Sequence, residues 1–136
     1  MPYNRKVMEH FTQPRNVGEM KDADGVGKAS NNVDGDLVVI YLKVKDEIIQ
    51  GVSFQTFGCA AAIASSSMFT EMVKGKSIEA AQRIDKQMVA EALEGMPANK
   101  VECSILAPEA FRQAVEDYRQ RKESSLRKNG VYLAKE

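Results

Sequence analysis

The sequence has little cysteine, a single histidine and no surplus of either charge. Two cysteines cannot build a disulfide framework, and in a reducing compartment a pair of thiols serves burial, metal ligation or thiol chemistry. Nineteen basic residues balance nineteen acidic ones, so no global field draws the chain to nucleic acid or to an anionic membrane. Also missing is any apolar run long enough to cross a bilayer, and Met1-Pro2-Tyr3-Asn4-Arg5-Lys6 carries no apolar stretch behind its charges. These absences point to a soluble, cytoplasmic protein without nucleic-acid or membrane partners. What remains is one domain's worth of chain, 136 residues, enough to bury roughly two-thirds of its unfolded surface in one core.

Along the chain, Tyr3, Val7, Met8 and Phe11 recur at helical spacing, and Pro14 stops that first helix. Val17 to Val33 is rich in Gly, Asp and Asn and reads as turns and loop with at most one short edge strand. Leu37 to Lys45, "LVVIYLKVK", is a strand by its β-branched and aromatic content, and Ile48 to Phe57 is a second, with Gly51 as its bulge site. After Gly58 the period turns helical from Cys59 to Lys74, ending at Gly75. Ser77 caps a short helix through Ile84, and a further helix ends at Gly95. The last helix runs from about Ser104 to Gln120, with Pro108 in its first turn and a stripe of Ala107, Ala110, Phe111, Ala114, Val115 and Tyr118. Strands first and helices afterwards predict an α+β fold, a small antiparallel sheet packed against helices. The expected organisation is one domain over residues 1–122 and a polar C-terminal tail over 123–136, within which Val131 to Leu133 is an apolar patch able to dock.

The order of the two strands makes one corner of the molecule informative. An antiparallel hairpin turning at Asp46-Glu47 without a bulge sets residue 36 opposite 57 and residue 34 opposite 59; a bulge at Gly51 shifts this by one and keeps both segments at the same end of the sheet. Asp34 and Asp36 then converge on Cys59, which stands at a helix N-terminus where free N–H groups and the macrodipole favour an anion. The run "CAAAIASSS" keeps side-chain bulk away from that corner, and it also serves tight helix–sheet packing. Cys103, in "KVECSILAPEAF", likewise stands just before a helix, with Glu102 beside it. Carboxylates and thiols in one place make a metal-ligand set.

Each of these residues has a plainer use. Free cysteine is among the most buried residue types, and Asp34-Gly35-Asp36 alone makes a good turn. His10, the only histidine, stands on a helix near Pro14 as a surface or packing residue, Met68 and Met72 fill core, and the basic residues from Arg119 to Lys128 make a solvated helix end. From chemistry and spacing alone, the corner is a metal or thiol site.

Three segments carry a resemblance to a known family. "VMEHFTQPRNVG" resembles the His-x-x-x-Pro-Arg-Asn-Val-Gly signature of the IscU/NifU-type iron-sulfur cluster assembly scaffolds, and "FQTFGCAAAIASSSMFTEMVKGKS" is similar to their central cysteine segment. "CSILAPEAFRQAVEDY" is similar to the segment of their last cysteine, so the resemblance spans nearly all of residues 2 to 121. It implies a compact α+β domain whose cluster or metal site is built at one end of the sheet by three cysteines, an aspartate and often a histidine. It also implies a pyridoxal-phosphate cysteine desulfurase as partner, delivering sulfur as a persulfide, and recipient apoproteins.

The sequence departs from that pattern at the site. The family's Cys-Gly-Asp is Asp34-Gly35-Asp36, and its His-Cys-Ser is Glu102-Cys103-Ser104, so carboxylates replace the first cysteine and the histidine. Carboxylate oxygen is harder than thiolate and holds a sulfide-bridged cluster less firmly. Met96-Pro97-Ala98-Asn99-Lys100 only partly echoes the family's Leu-Pro-Pro-Val-Lys chaperone-recognition segment, which argues against a dedicated Hsp70 chaperone. The resemblance thus implies a non-enzymatic scaffold that holds iron or a labile two-iron two-sulfur cluster through Cys59, Cys103, Asp36 and Asp34, with Glu102 in reserve. Cys103 or Cys59 would accept persulfide sulfur, and two thiols per chain become four in a homo-oligomer. The alternative is a divergent paralogue that binds a single zinc ion or no metal and regulates a desulfurase by docking. A thiol enzyme with Cys59 as nucleophile ranks behind both, since the only histidine has no evident route to either cysteine.

Overall fold

The computed structural model describes residues 4–31, 35–95 and 105–128, the side chains of 125–128 excepted. In chain order the elements are α1 (Arg5–Thr12), β1 (Gly25–Asn31), β2 (Asp36–Lys45), β3 (Ile48–Phe57), α2 (Ala60–Val73), α3 (Ile78–Ala81), α4 (Lys86–Ala92) and α5 (Leu106–Lys128). The strands form one antiparallel sheet in the order β1-β2-β3, and the helices pack on it, so the expected α+β architecture is found. No helix among the described residues is long and apolar enough to cross a membrane.

The β2–β3 hairpin turns at Asp46 and Glu47, both in the left-handed region (φ 55° and 65°), the backbone that a two-residue turn between twisted strands requires. Lys45 pairs with Ile48 and Val44 with Ile49, but Lys43 pairs with Gly51, which leaves Gln50 as the extra residue of a bulge. From there to Leu37 opposite Phe57 the register is offset by one from an unbulged hairpin, so Asp36 stands level with Gly58. Period-two alternation sends Val38, Ile40 and Leu42 of β2 into the core with Val52 and Phe54 of β3.

The segment expected to be mostly loop holds a full edge strand. Gly25 and Gly27 belong to β1 because α5 lies directly on them. A Cβ at Gly27 would stand 2.1 Å from the Ala110 carbonyl oxygen and 2.2 Å from the Ala114 nitrogen, and one at Gly25 would stand 2.3 Å from the Ala114 carbonyl oxygen. Glycine on the strand and alanine on the helix therefore set the distance between the layers. Asp117 of α5 also caps the strand edge, its carboxylate accepting from the Val26 N–H at 2.9 Å. The helix itself passes the expected end near Gln120 and runs to Lys128, across the boundary expected between domain and tail, while Val131 to Leu133 lie outside the described residues.

α2 is the central helix. It is buried on nearly every side, from Ala61 to Val73, against α1, β3, α4 and α5, so its apolar and small residues show no single stripe. Phe69 meets Phe111 of α5 edge to face, ring centroids 5.5 Å apart. Gly75, with φ +85°, ends the run, and its N–H donates to the Ile49 carbonyl, tying the helix exit to β3. The side chains of Ser77 and Asp85 cap α3 and α4. Asn4 joins two helix ends at once. Its Oδ1 accepts from the Val7 N–H at 2.8 Å at the start of α1, and its Nδ2 donates to the Leu93, Glu94 and Gly95 carbonyls at 3.0, 3.1 and 3.2 Å beyond α4.

His10 is a packing residue, 4 % exposed, as its place on the first helix suggests. Arg15 Nη1 lies 3.1 Å from its Nε2, and a guanidinium can only donate; Nδ1 therefore carries the ring proton and donates to Ser67 Oγ at 2.7 Å. Ser67 Oγ also accepts from the Arg15 N–H at 2.9 Å, which fastens the loop after α1 to the middle of α2. Burial first, and Arg15 second, hold the imidazole below its ordinary value of 6.5, against the opposing pull of Glu9.

Two outcomes are expected. Gly27→Ala forces a methyl group into the α5 backbone and lowers the free energy of unfolding by roughly 1–3 kcal/mol in urea titrations. For His10, the unfolded chain binds more protons than the folded one between 6.5 and the depressed folded value. Its contribution is therefore complete above pH 6.5 and is lost as pH falls through that window, by up to about 1.4 kcal/mol per pH unit. Thermal midpoints taken from pH 7 downward should show this slope, and His10→Gln should remove it.

Candidate metal centre

Asp36 is the first residue of β2 and, by the alternation of that strand, faces the core side; it is 3 % exposed. Cys59 follows β3 as the N-cap of α2, in extended conformation and half-buried. The bulged register brings the two together. Asp36 Oδ1 accepts from the Cys59 N–H at 3.3 Å, and the thiol stands 3.5 Å from Oδ2, to which it donates. The cysteine supplies no side-chain cap of its own, so the carboxylate is the negative group at this helix N-terminus.

Gly58 is the residue that sequence reasoning passed over. A Cβ there would stand 2.6 Å from Asp36 Oδ1 and 2.8 Å from Asp36 Cγ, so the bare backbone is what lets the carboxylate lie across the strand end. The signal was present in the sequence as the glycine between the last apolar strand residue and the cysteine. Ala61 and Ala62 are fully buried and pack with Cys59, which accounts for the small residues after the thiol. Phe57, at the same end of the sheet, is 71 % exposed.

Asp34, Glu102 and Cys103 lie outside the described residues, as does the segment from Met96 to Lys100. Of the expected ligands, Asp36 and Cys59 are placed, and they adjoin. His10 is elsewhere, bonded to Ser67, about 12 Å along α2 from Cys59 at 1.5 Å per residue. Among the described residues no group of three His, Cys, Asp or Glu side chains is arranged to hold a metal ion; Asp36 and Cys59 are the two expected ligands that lie within them.

Residues 2–125 match the family model described as the NifU-like N terminal domain. The chain belongs to this family. As a member of the NifU-like N-terminal domains it is 57 % identical, over 128 residues, to a protein of Archaeoglobus fulgidus named iron-sulfur cluster assembly scaffold protein IscU 1. That match covers 94 % of this chain and 79 % of the relative. It is 44 % identical to the iron-sulfur cluster assembly scaffold protein IscU of Escherichia coli K12, covering 91 % of this chain and 99 % of that one. In three dimensions it resembles a crystal structure from Fervidobacterium islandicum, titled as a candidate scaffold protein for the SUF system. The TM-score is 0.72 at 21 % identity, covering 85 % of this chain and 97 % of that one, a likeness of fold.

In this NifU-like domain, Gly58→Ala is expected to displace the Asp36 carboxylate and to lower unfolding free energy by about 1–2 kcal/mol. In an Asp36→Ala background the same substitution should cost much less, because its target is gone. A double-mutant cycle by urea unfolding checks this, and strictly additive effects would show that Gly58 acts elsewhere.

Proposed function

We propose that this chain is an iron-sulfur cluster assembly scaffold. It would take iron as cargo, and sulfur from a cysteine desulfurase, at the corner where β2, β3 and α2 meet. The single observation that carries the reading is the Asp36–Cys59 contact, a hard oxygen donor and a soft sulfur donor on adjoining elements of a domain from this family. The relatives' names, as assembly scaffolds, support this role over that of a desulfurase-docking regulator that binds a single zinc ion or no metal.

Cys59 and Cys103 would supply thiolates, Asp36 and Asp34 carboxylate oxygens, with Glu102 in reserve. Mixed oxygen and sulfur donors suit a two-iron two-sulfur cluster that must leave again, since carboxylate holds such iron less firmly than thiolate does. The half-buried Cys59 can be reached by a donor, and Cys59 or Cys103 would take the terminal sulfur of the desulfurase persulfide while the donor thiolate departs. The exposed ring of Phe57 beside it offers apolar surface for that encounter. The chain's role is to hold and release, in the cytoplasm, with recipient apoproteins as the destination.

Anaerobic incubation of the full chain with iron, cysteine and a cysteine desulfurase should give a visible chromophore with matching iron and acid-labile sulfide. Cys59→Ser and Cys103→Ser should each lose it. Stoichiometric zinc in place of iron, or iron and sulfide unchanged in both variants, would refute the scaffold reading.

A further inference from the structure

A second feature lies at the other end of α2. The end of this helix, α3 and the start of α4 enclose an open groove of about 620 Å3. Its apolar side is formed by Met72, Ile84 and Met88. Ile84 is nearly buried, but Met88 is 40 % exposed, one of the exposed large apolar side chains among the described residues. Thioether side chains adapt to irregular partners, and they are over-used where a surface must receive another chain.

The rim of the groove is cationic. Lys74 and Lys76 are both exposed, and neither forms an ion pair among the described residues. Arg83 is held by Glu79 at 3.0 Å, and Glu71 accepts from Asn16 Nδ2 at 2.9 Å, so that acid is already engaged with the loop after α1. Cations at the C-terminal end of α2 complement its dipole, which explains their sign but not the apolar floor they surround. An apolar floor under two uncompensated ammonium groups is complementary to a chain carrying carboxylates around large apolar side chains.

We propose that this groove docks an acidic, amphipathic segment of a partner protein. The partner's apolar side chains would lie on Met72, Ile84 and Met88, and its carboxylates would meet Lys74 and Lys76. The concave floor suits a peptide better than a flat anionic membrane, and the lining holds no aromatic ring on which a nucleic-acid base could stack. α2 spans 14 residues, so the groove lies ~20 Å from Cys59 at 1.5 Å per residue. A partner held there leaves the Asp36–Cys59 corner open. The inference rests on the groove alone and not on the metal reading.

The test uses the full chain labelled with 13C at the methionine methyls. The probes are a synthetic amphipathic helical peptide with leucines on one face and glutamates flanking them, the same peptide with lysines for glutamates, and vesicles of mixed phosphatidylserine and phosphatidylcholine. The acidic peptide should shift the Met72 and Met88 methyl signals saturably and leave Met8 and Met20 in place. Lys74→Glu with Lys76→Glu should weaken it about tenfold or more while the chain stays folded, its melting midpoint falling only slightly because exposed charges interact weakly with the helix dipole. Cys59→Ser should bind as the parent does, which separates this result from failure of the scaffold reading. Unmoved Met72 and Met88 signals, equal binding of the lysine peptide, or a response to vesicles without one to the acidic peptide would each overturn the proposal.

Discussion

The arrangement depends on one contact, the Asp36 carboxylate lying over the backbone of Gly58 and bonded to the N–H and the thiol of Cys59. Three independent features must agree for it to exist. The hairpin must be bulged at Gln50 so that Asp36 stands level with Gly58, residue 58 must lack a side chain, and Cys59 must be the N-cap of α2 so that the helix N-terminus faces the carboxylate. A buried carboxylate is costly unless it is paired, and here a backbone N–H and a thiol at a helix start share that task. In the proposed role the same oxygen atoms that secure the helix would turn toward iron, and cargo binding and the anchoring of α2 would then draw on one group.

Much of this was legible in the sequence, and what was not has physical reasons. The strands of the hairpin announce themselves by Val, Ile and Tyr, and the helix ends by Ser77, Gly75 and Gly95, because caps and alternation are local rules. The edge strand β1 was hidden, since Gly25 and Gly27 carry turn chemistry by themselves and become strand residues only because α5 presses on them from 80 and more positions away along the chain. α2 shows no single apolar stripe for a related reason. A central helix covered on nearly all sides offers periodicity almost no polar face to detect.

The candidate site was legible in part. The convergence of Asp36 and Cys59 followed from strand order alone, and the offset of one residue from the bulge moves the pairing without breaking it. Gly58 escaped notice because a missing Cβ has meaning only against a neighbour that lies far off in sequence. His10 shows the converse. Its place on the first helix marked it as a surface or packing residue, and its buried ring, bonded on both nitrogens, to Ser67 and Arg15, secures α1 to α2. On the proposed reading, the sheet end would take inorganic cargo and the groove at the far end of α2 a protein partner.

The central claim is that Asp36 and Cys59 bind the same iron. Iron K-edge X-ray absorption on the anaerobically loaded full chain tests it directly. The account requires oxygen and sulfur scatterers in the first shell, with the oxygen component reduced in Asp36→Ala and the sulfur component reduced in Cys59→Ser. A first shell that neither substitution alters would contradict it.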